Sequence, residues 1–221
     1  MTAFERESDL RLAGLQAAGE RFGGDDGAVF EEVARGGRTI DAVVARPDPE
    51  AQAERAERGI EEPLTGDRRA IYEWVAREEA RPLGDLLDVS PSSEQLEDEA
   101  LVDELIDDGW LDVTEGGLLT AVEIPRPVET IAVAFTLGDL EQTRLSIGRT
   151  RSFTDEQYVV TAEACRDDVK GSAPMFRAVG IGVAVLDDSG ALDVVVESAP
   201  DPIEEPRTAR GLAEDAAAGW L

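Results

Sequence analysis

The chain has 221 residues, 42% of them apolar, enough for one large domain or two small ones, each with its own buried core. Asp and Glu number 49 against 21 Lys and Arg, a formal net charge of -28, and Lys170 is the only lysine. Cys165 stands alone and histidine is absent, which excludes a disulfide framework, a cysteine-based metal cluster, Ser/His or Cys/His nucleophile pairs and histidine-dependent zinc sites.

So acidic a chain repels itself in dilute buffer, whereas at molar salt the screening length falls to roughly 3 Å. The composition therefore points to a halophilic interior. The opening Met1 to Glu7 carries no basic stretch followed by an apolar one, and no long apolar run occurs, so a cytoplasmic protein without membrane contact is expected.

Residues from about Ser8 to Arg21 read as a helix with Leu10, Leu12, Leu15 and Ala18 mostly on one side. Ala28 to Arg35 reads as a second short helix. Past Gly36-Gly37, the run from Thr39 to Val44 fits either a strand or the start of a helix. Pro47-Asp48-Pro49 and the charged run Glu50 to Glu62 predict a turn and a solvated helix, taken as a boundary.

From Thr65 a capped helix with Ile71, Trp74 and Val75 at helical spacing is expected, then a shorter one over Leu83 to Leu87. A third carries the stripe Leu101, Val102, Leu105 and Ile106, with Trp110 continuing the buried surface. Two short strands, Leu111 to Val113 and Leu118 to Val122, flank the turn signal Glu115-Gly116-Gly117. Three helices and a hairpin make a winged-helix pattern. In such a module the third helix reads the major groove through donors aimed at bases and phosphates, yet Glu94 to Asp108 offers eight acids and only Gln95 as a donor.

The C-terminal half alternates strands and helices: a strand over Val128 to Leu137, a helix over Leu140 to Arg151, and a strand over Gln157 to Ala162. A helix around Ser172 to Val179, a strand over Gly182 to Leu186, a turn at Asp187 to Gly190 and a strand over Leu192 to Val196 complete it. The segment "VETIAVAFTLGDLEQTRLSIGRTRSFTDEQYVV" followed by "FRAVGIGVAVLDDSG" resembles the restriction-endonuclease-like nuclease superfamily over about residues 96 to 198. In that superfamily a core strand carries an acid and then a Glu-x-Lys, which bind a hard divalent metal and help to activate water. By this resemblance the acid falls on Glu129, the Glu and Lys fall on Ala134 and Thr136, and a glutamine of the next helix falls near Ser146. The catalytic set is thus degenerate, with no cofactor expected. The alternative is a rebuilt magnesium site from Glu123, Glu129, Asp139 and Glu141.

Arg144, Arg149 and Arg151 form the densest basic stretch of the chain and are candidate phosphate ligands, with Arg126 before the core strand and Arg166 and Arg177 near in sequence. The expected fold class is α/β (α+β). It comprises a helical N-terminal region (1–62), a winged-helix-like segment (63–95), a restriction-endonuclease-like domain (96–200), and a linker with a C-terminal helix (201–221). The helix from Asp98 to Gly109 is claimed by both central segments. The expected function is non-catalytic binding of DNA or a DNA-processing partner. The alternatives are a divergent metal-dependent nuclease and a protein-interaction module that self-associates through Trp110 or Trp220.

Overall fold

The computed structural model describes residues 4–35, 37–60, 62–76, 81–82, 95–199 and 207–219. In chain order the elements are α1 (Glu7–Ala18), β1 (Ala28–Arg35), β2 (Arg38–Pro47), α2 (Pro49–Glu57), α3 (Gly66–Ala76), β3 (Arg81–Pro82), α4 (Gln95–Asp107), β4 (Leu111–Val113) and β5 (Leu118–Ala121). There follow β6 (Val128–Phe135), α5 (Leu140–Ile147), β7 (Glu156–Ala162), α6 (Arg166–Ala178), β8 (Gly182–Leu186), β9 (Leu192–Val196) and α7 (Arg207–Ala217). The fold is mixed α/β. The chain forms two units, Met1–Pro47 with Val128–Leu221, and Asp48–Pro127 inserted between them.

The first unit is built on a six-stranded sheet of order β1-β2-β6-β7-β8-β9. The β6–β7 and β7–β8 pairs are parallel and the other pairs antiparallel. Alternation along the strands sends successive side chains to opposite faces. Ile131, Val133, Phe135, Val160 and Leu186 face one side, where Leu10, Leu15 and Ala18 of α1 and Phe22 cover them. Ala132, Val159, Val183 and Val185 face the other, beneath Leu140 and Ile147 of α5, Val169, Ala173 and Phe176 of α6, and Leu212 of α7. Crossovers of one hand between parallel neighbours put α5 and α6 on the same face.

Three expectations change here. Ala28–Arg35 is a strand rather than a helix, because Arg35 lies opposite Arg38 and Gly37, at φ 73°, closes a tight turn onto β2. In α1, Leu12 is 76% exposed, since it sits two residues, some 200° of rotation, from the buried Leu10. The division at 1–62, 63–95, 96–200 and 201–221 is also not the one the contacts draw. The first 47 residues supply a helix and two strands to the large sheet, with β2 pairing directly to β6.

The inserted unit begins with α2, capped by the Asp48 carboxylate, which accepts from the Glu50 and Ala51 amides at 3.1 and 3.0 Å. Its core joins Ile71 and Val75 of α3, Val102 and Leu105 of α4, and Trp110, Leu111 and Leu119. The small sheet has the order β3-β5-β4, all antiparallel. Among the described residues its order is helix, helix, strand, helix and hairpin, and α4 belongs wholly to this unit. The helix expected over 83–87 lies outside the described residues, as do the linker 200–206 and Trp220. Trp110, with 1% exposure, is a core residue, which removes it as a surface for self-association.

Candidate functional site

Because β6, β7 and β8 are parallel, they define two edges of the sheet, one at their C-termini and one at their N-termini. Ala134 and Thr136 lie at the C-terminal edge. Thr136 is buried, its amide donating to Val160 O at 3.0 Å and its hydroxyl accepting from Gly138 N at 3.4 Å. The acid beside them is Asp41 of β2, whose Oδ2 accepts from the Phe135 amide at 3.1 Å. Arg11 of α1 donates to Asp41 O and pairs with Glu32 at 3.1 Å. Glu32 itself sits at φ 53° in β1, a left-handed kink in the edge strand at this level.

Glu129 is not that acid. It lies five residues before Ala134, about 17 Å along an extended strand, and the parity of the strand turns it to the opposite face. Its carboxylate instead accepts from Arg46 Nε at 2.7 Å, and Arg46 also reaches Glu156 at 2.9 Å. Asp139 caps α5, accepting from the Gln142 amide at 2.8 Å, and Glu141 is exposed in the first turn of that helix. Glu123 lies in the inserted unit, where its carbonyl accepts from Arg58. Among the described residues no three Asp, Glu, Cys or His side chains are gathered as a metal would require. Ser146 is exposed on α5.

The N-terminal edge is where α5 and α6 return. Arg144, between the buried Leu140 and Ile147, turns inward, and its buried Nε meets no hydrogen-bond partner. On the same face, Gln157 Oε1 and Thr161 Oγ1 of β7 are also buried without partners. Arg149 is exposed. Arg151 is not: its guanidinium donates to Val179 O and packs against Gly180, tying the segment before β7 to the one before β8. Of the three candidate phosphate ligands, one is turned inward, one is a strut, and one faces solvent.

Tyr158 completes this edge on the face of α1. Its ring stacks on Phe22 at 4.3 Å, its hydroxyl donates to Glu197 at 3.1 Å, and Ser198 N donates to it at 3.2 Å. Burial pushes the hydroxyl up to about 12, with the charges of Glu156 and Glu197 adding to the rise and the Ser198 amide opposing it. The folded state therefore holds this proton more tightly than the unfolded chain. The contribution is complete below the ordinary value of 10.0 and is lost as the pH climbs through about 12. The melting temperature is expected to fall over that window in the wild type and to fall less steeply in Tyr158→Phe. Circular dichroism melts across the window check this, and parallel curves for the two proteins would remove Tyr158 as the cause.

Reading the sequence missed Asp41, although a lone carboxylate in the apolar run Ile40 to Val44 was its signal. No family model, curated protein or solved structure matches this chain. No helix among the described residues is long and apolar enough to cross a membrane.

Proposed function

We propose that this chain is a non-catalytic, DNA-associated protein of a salt-rich cytoplasm, built on a restriction-endonuclease-like core whose metal site has degenerated. It binds DNA or a DNA-processing partner through the arginine-bearing segment from α5 to β7. The observation that carries the reading is the makeup of the C-terminal edge. Ala134 and Thr136 bring no carboxylate, and the neighbouring Asp41 has one oxygen committed to the Phe135 amide. The succession of β6, α5, β7, α6 and β8 also supports it, since this is the order the resemblance implies. Fold analogy alone does not dictate activity, so the side chains present carry the weight.

In the winged-helix-like unit, Glu99, Asp103, Glu104, Asp107 and Asp108 are all exposed on or just after α4. Phosphates repel such a face, which favours a protein partner for that unit and leaves DNA to the arginines of the larger one.

The test is binding of labelled duplex and single-stranded DNA at high KCl, with and without magnesium, by the wild type and by a triple Arg144, Arg149 and Arg151 to Ala variant. The expected result is binding by the wild type, a loss of about tenfold or more in the variant, and intact DNA throughout. Because Arg151 is a strut, a thermal melt of the variant accompanies the titration. Magnesium-dependent cleavage would replace this reading with a divergent nuclease, and absence of binding by the wild type would leave a protein-interaction module.

A further inference from the structure

Many arginines whose surroundings are described in this chain meet a carboxylate, as 49 acids against 21 bases make easy. Arg11 meets Glu32, Arg35 meets Asp215, Arg46 meets Glu129 and Glu156, Arg68 meets Asp108, and Arg166 meets Glu163 and Asp193. Arg21, Arg38 and Arg144 do not, and neither do Arg149 and Arg177. The last two are exposed, and neither has an ion pair or hydrogen bond from its side chain among the described residues.

They also lie at the same edge of the sheet. Arg149 sits in the turn that follows α5, and Arg177 in the last turn of α6. Both helices run back against parallel strands, so both ends arrive where β7 and β8 begin. The bond from Arg151 to Val179 O holds the two segments together. A Cβ at Gly180 would lie 2.6 Å from the Arg151 guanidinium, so the fit between these segments depends on that glycine, which sits at φ 65°.

The acids described at this edge are otherwise engaged. Glu129 and Glu156 are taken by Arg46, Asp155 accepts from the amide and hydroxyl of Thr130 at 2.8 and 3.0 Å, and Glu197 accepts from Tyr158. A helix C-terminus favours a cation and accounts for an arginine at 177. It does not account for two solvent-facing guanidiniums that, among the described residues, are left without carboxylates at one edge of the sheet. An external anion completes them.

We infer that Arg149 and Arg177 together form the phosphodiester-contacting pair of this protein, with Arg151 as the positioning residue between them and Arg144 facing the interior. The ligand is the backbone of duplex DNA, gripped by planar guanidinium forks without reading bases. This rests on the DNA-associated reading above and narrows it to two residues, one of which lies outside the original arginine stretch.

The test is the affinity of the full chain for a labelled duplex across a KCl series. It compares the wild type, an Arg149→Gln/Arg177→Gln double variant, and an Arg6→Gln/Arg38→Gln control. Arg6 and Arg38 are also exposed and lie toward the opposite edge of the sheet, before α1 and at the start of β2, so the control removes the same charge elsewhere. The first double variant is expected to lose about tenfold or more in affinity and to flatten the slope of log K against log [KCl] by about 2, the signature of two lost phosphate contacts. The control is expected to stay close to the wild type. If both double variants weaken binding equally, or neither does, the pair is wrong while the DNA-associated reading stands. If the wild type binds no duplex at all, both are overturned.

Discussion

Phe176→Ala is expected to cost about 3–5 kcal/mol, enough to unfold most domains of ordinary stability or bring them close to it. Phe176 is fully buried on α6, against Val169, Ala173, Ile181, Val183 and Val196. Its carbonyl accepts from the Val179 and Ile181 amides at 3.1 Å each, ending the helix and aiming the chain into β8. Truncation removes the ring from the core that holds α6 to the sheet and leaves a cavity that backbone hydrogen bonds keep from collapsing. Hydrogen exchange in high salt is the measurement, because it reports on each unit separately. Amides of β7, β8 and α6 are expected to lose protection while those of α3 and α4 keep theirs. A cost below about 1 kcal/mol would mean that the α6 layer is packed far more loosely than its burial implies.

Trp110→Ala is expected to act on the other unit with similar force. Trp110 is 1% exposed, with the Tyr72 ring edge-on at 5.6 Å and the Arg55 guanidinium 5.1 Å from its centroid. Arg55 is itself buried and donates to the carbonyls of Pro125 and Glu62. Losing the indole therefore opens a cavity costing about 3–5 kcal/mol and strips a buried cation of an aromatic contact worth about 1–2 more. Exchange should accelerate in α3, α4 and β5 while the six-stranded sheet stays protected. Equal acceleration in both units would show that they unfold as one cooperative body.

The strands of the sheet's second half were plain from composition. Val128 to Phe135, Gln157 to Ala162 and Gly182 to Leu186 are near-continuous apolar runs, as strands buried on both faces must be. Turn residues punctuate them, so their ends were legible to within a residue or two. Ala28 to Arg35 was not legible as a strand. Only Val33 in it is buried, so its pattern carries little of either period, and the strand exists because β2 offers it a ladder.

The candidate site divides in the same way. That Ala134 and Thr136 bring no carboxylate to the core strand is a matter of residue identity, readable from the chain alone. Which acid stands beside them is a matter of register. Glu129 is near in sequence but falls at the far end of β6 and on the other face, whereas Asp41, separated by the whole inserted unit, is brought within hydrogen-bonding distance of Phe135. The arginines follow suit: their number is composition, but which is strut, which is buried and which faces solvent depends on how α5 and α6 return across the sheet.

By itself, then, the sequence determined the charge, the mixed α/β class, the apolar strands and the absence of histidine chemistry, because these depend on residue type and short-range periodicity. Only the tertiary structure decided the two-unit division, the pairing of β2 with β6, the identity of the neighbouring acid and the separate roles of Arg144, Arg149, Arg151 and Arg177. Those depend on contacts between residues far apart in the chain, and no local pattern specifies a partner it does not touch until the chain has folded.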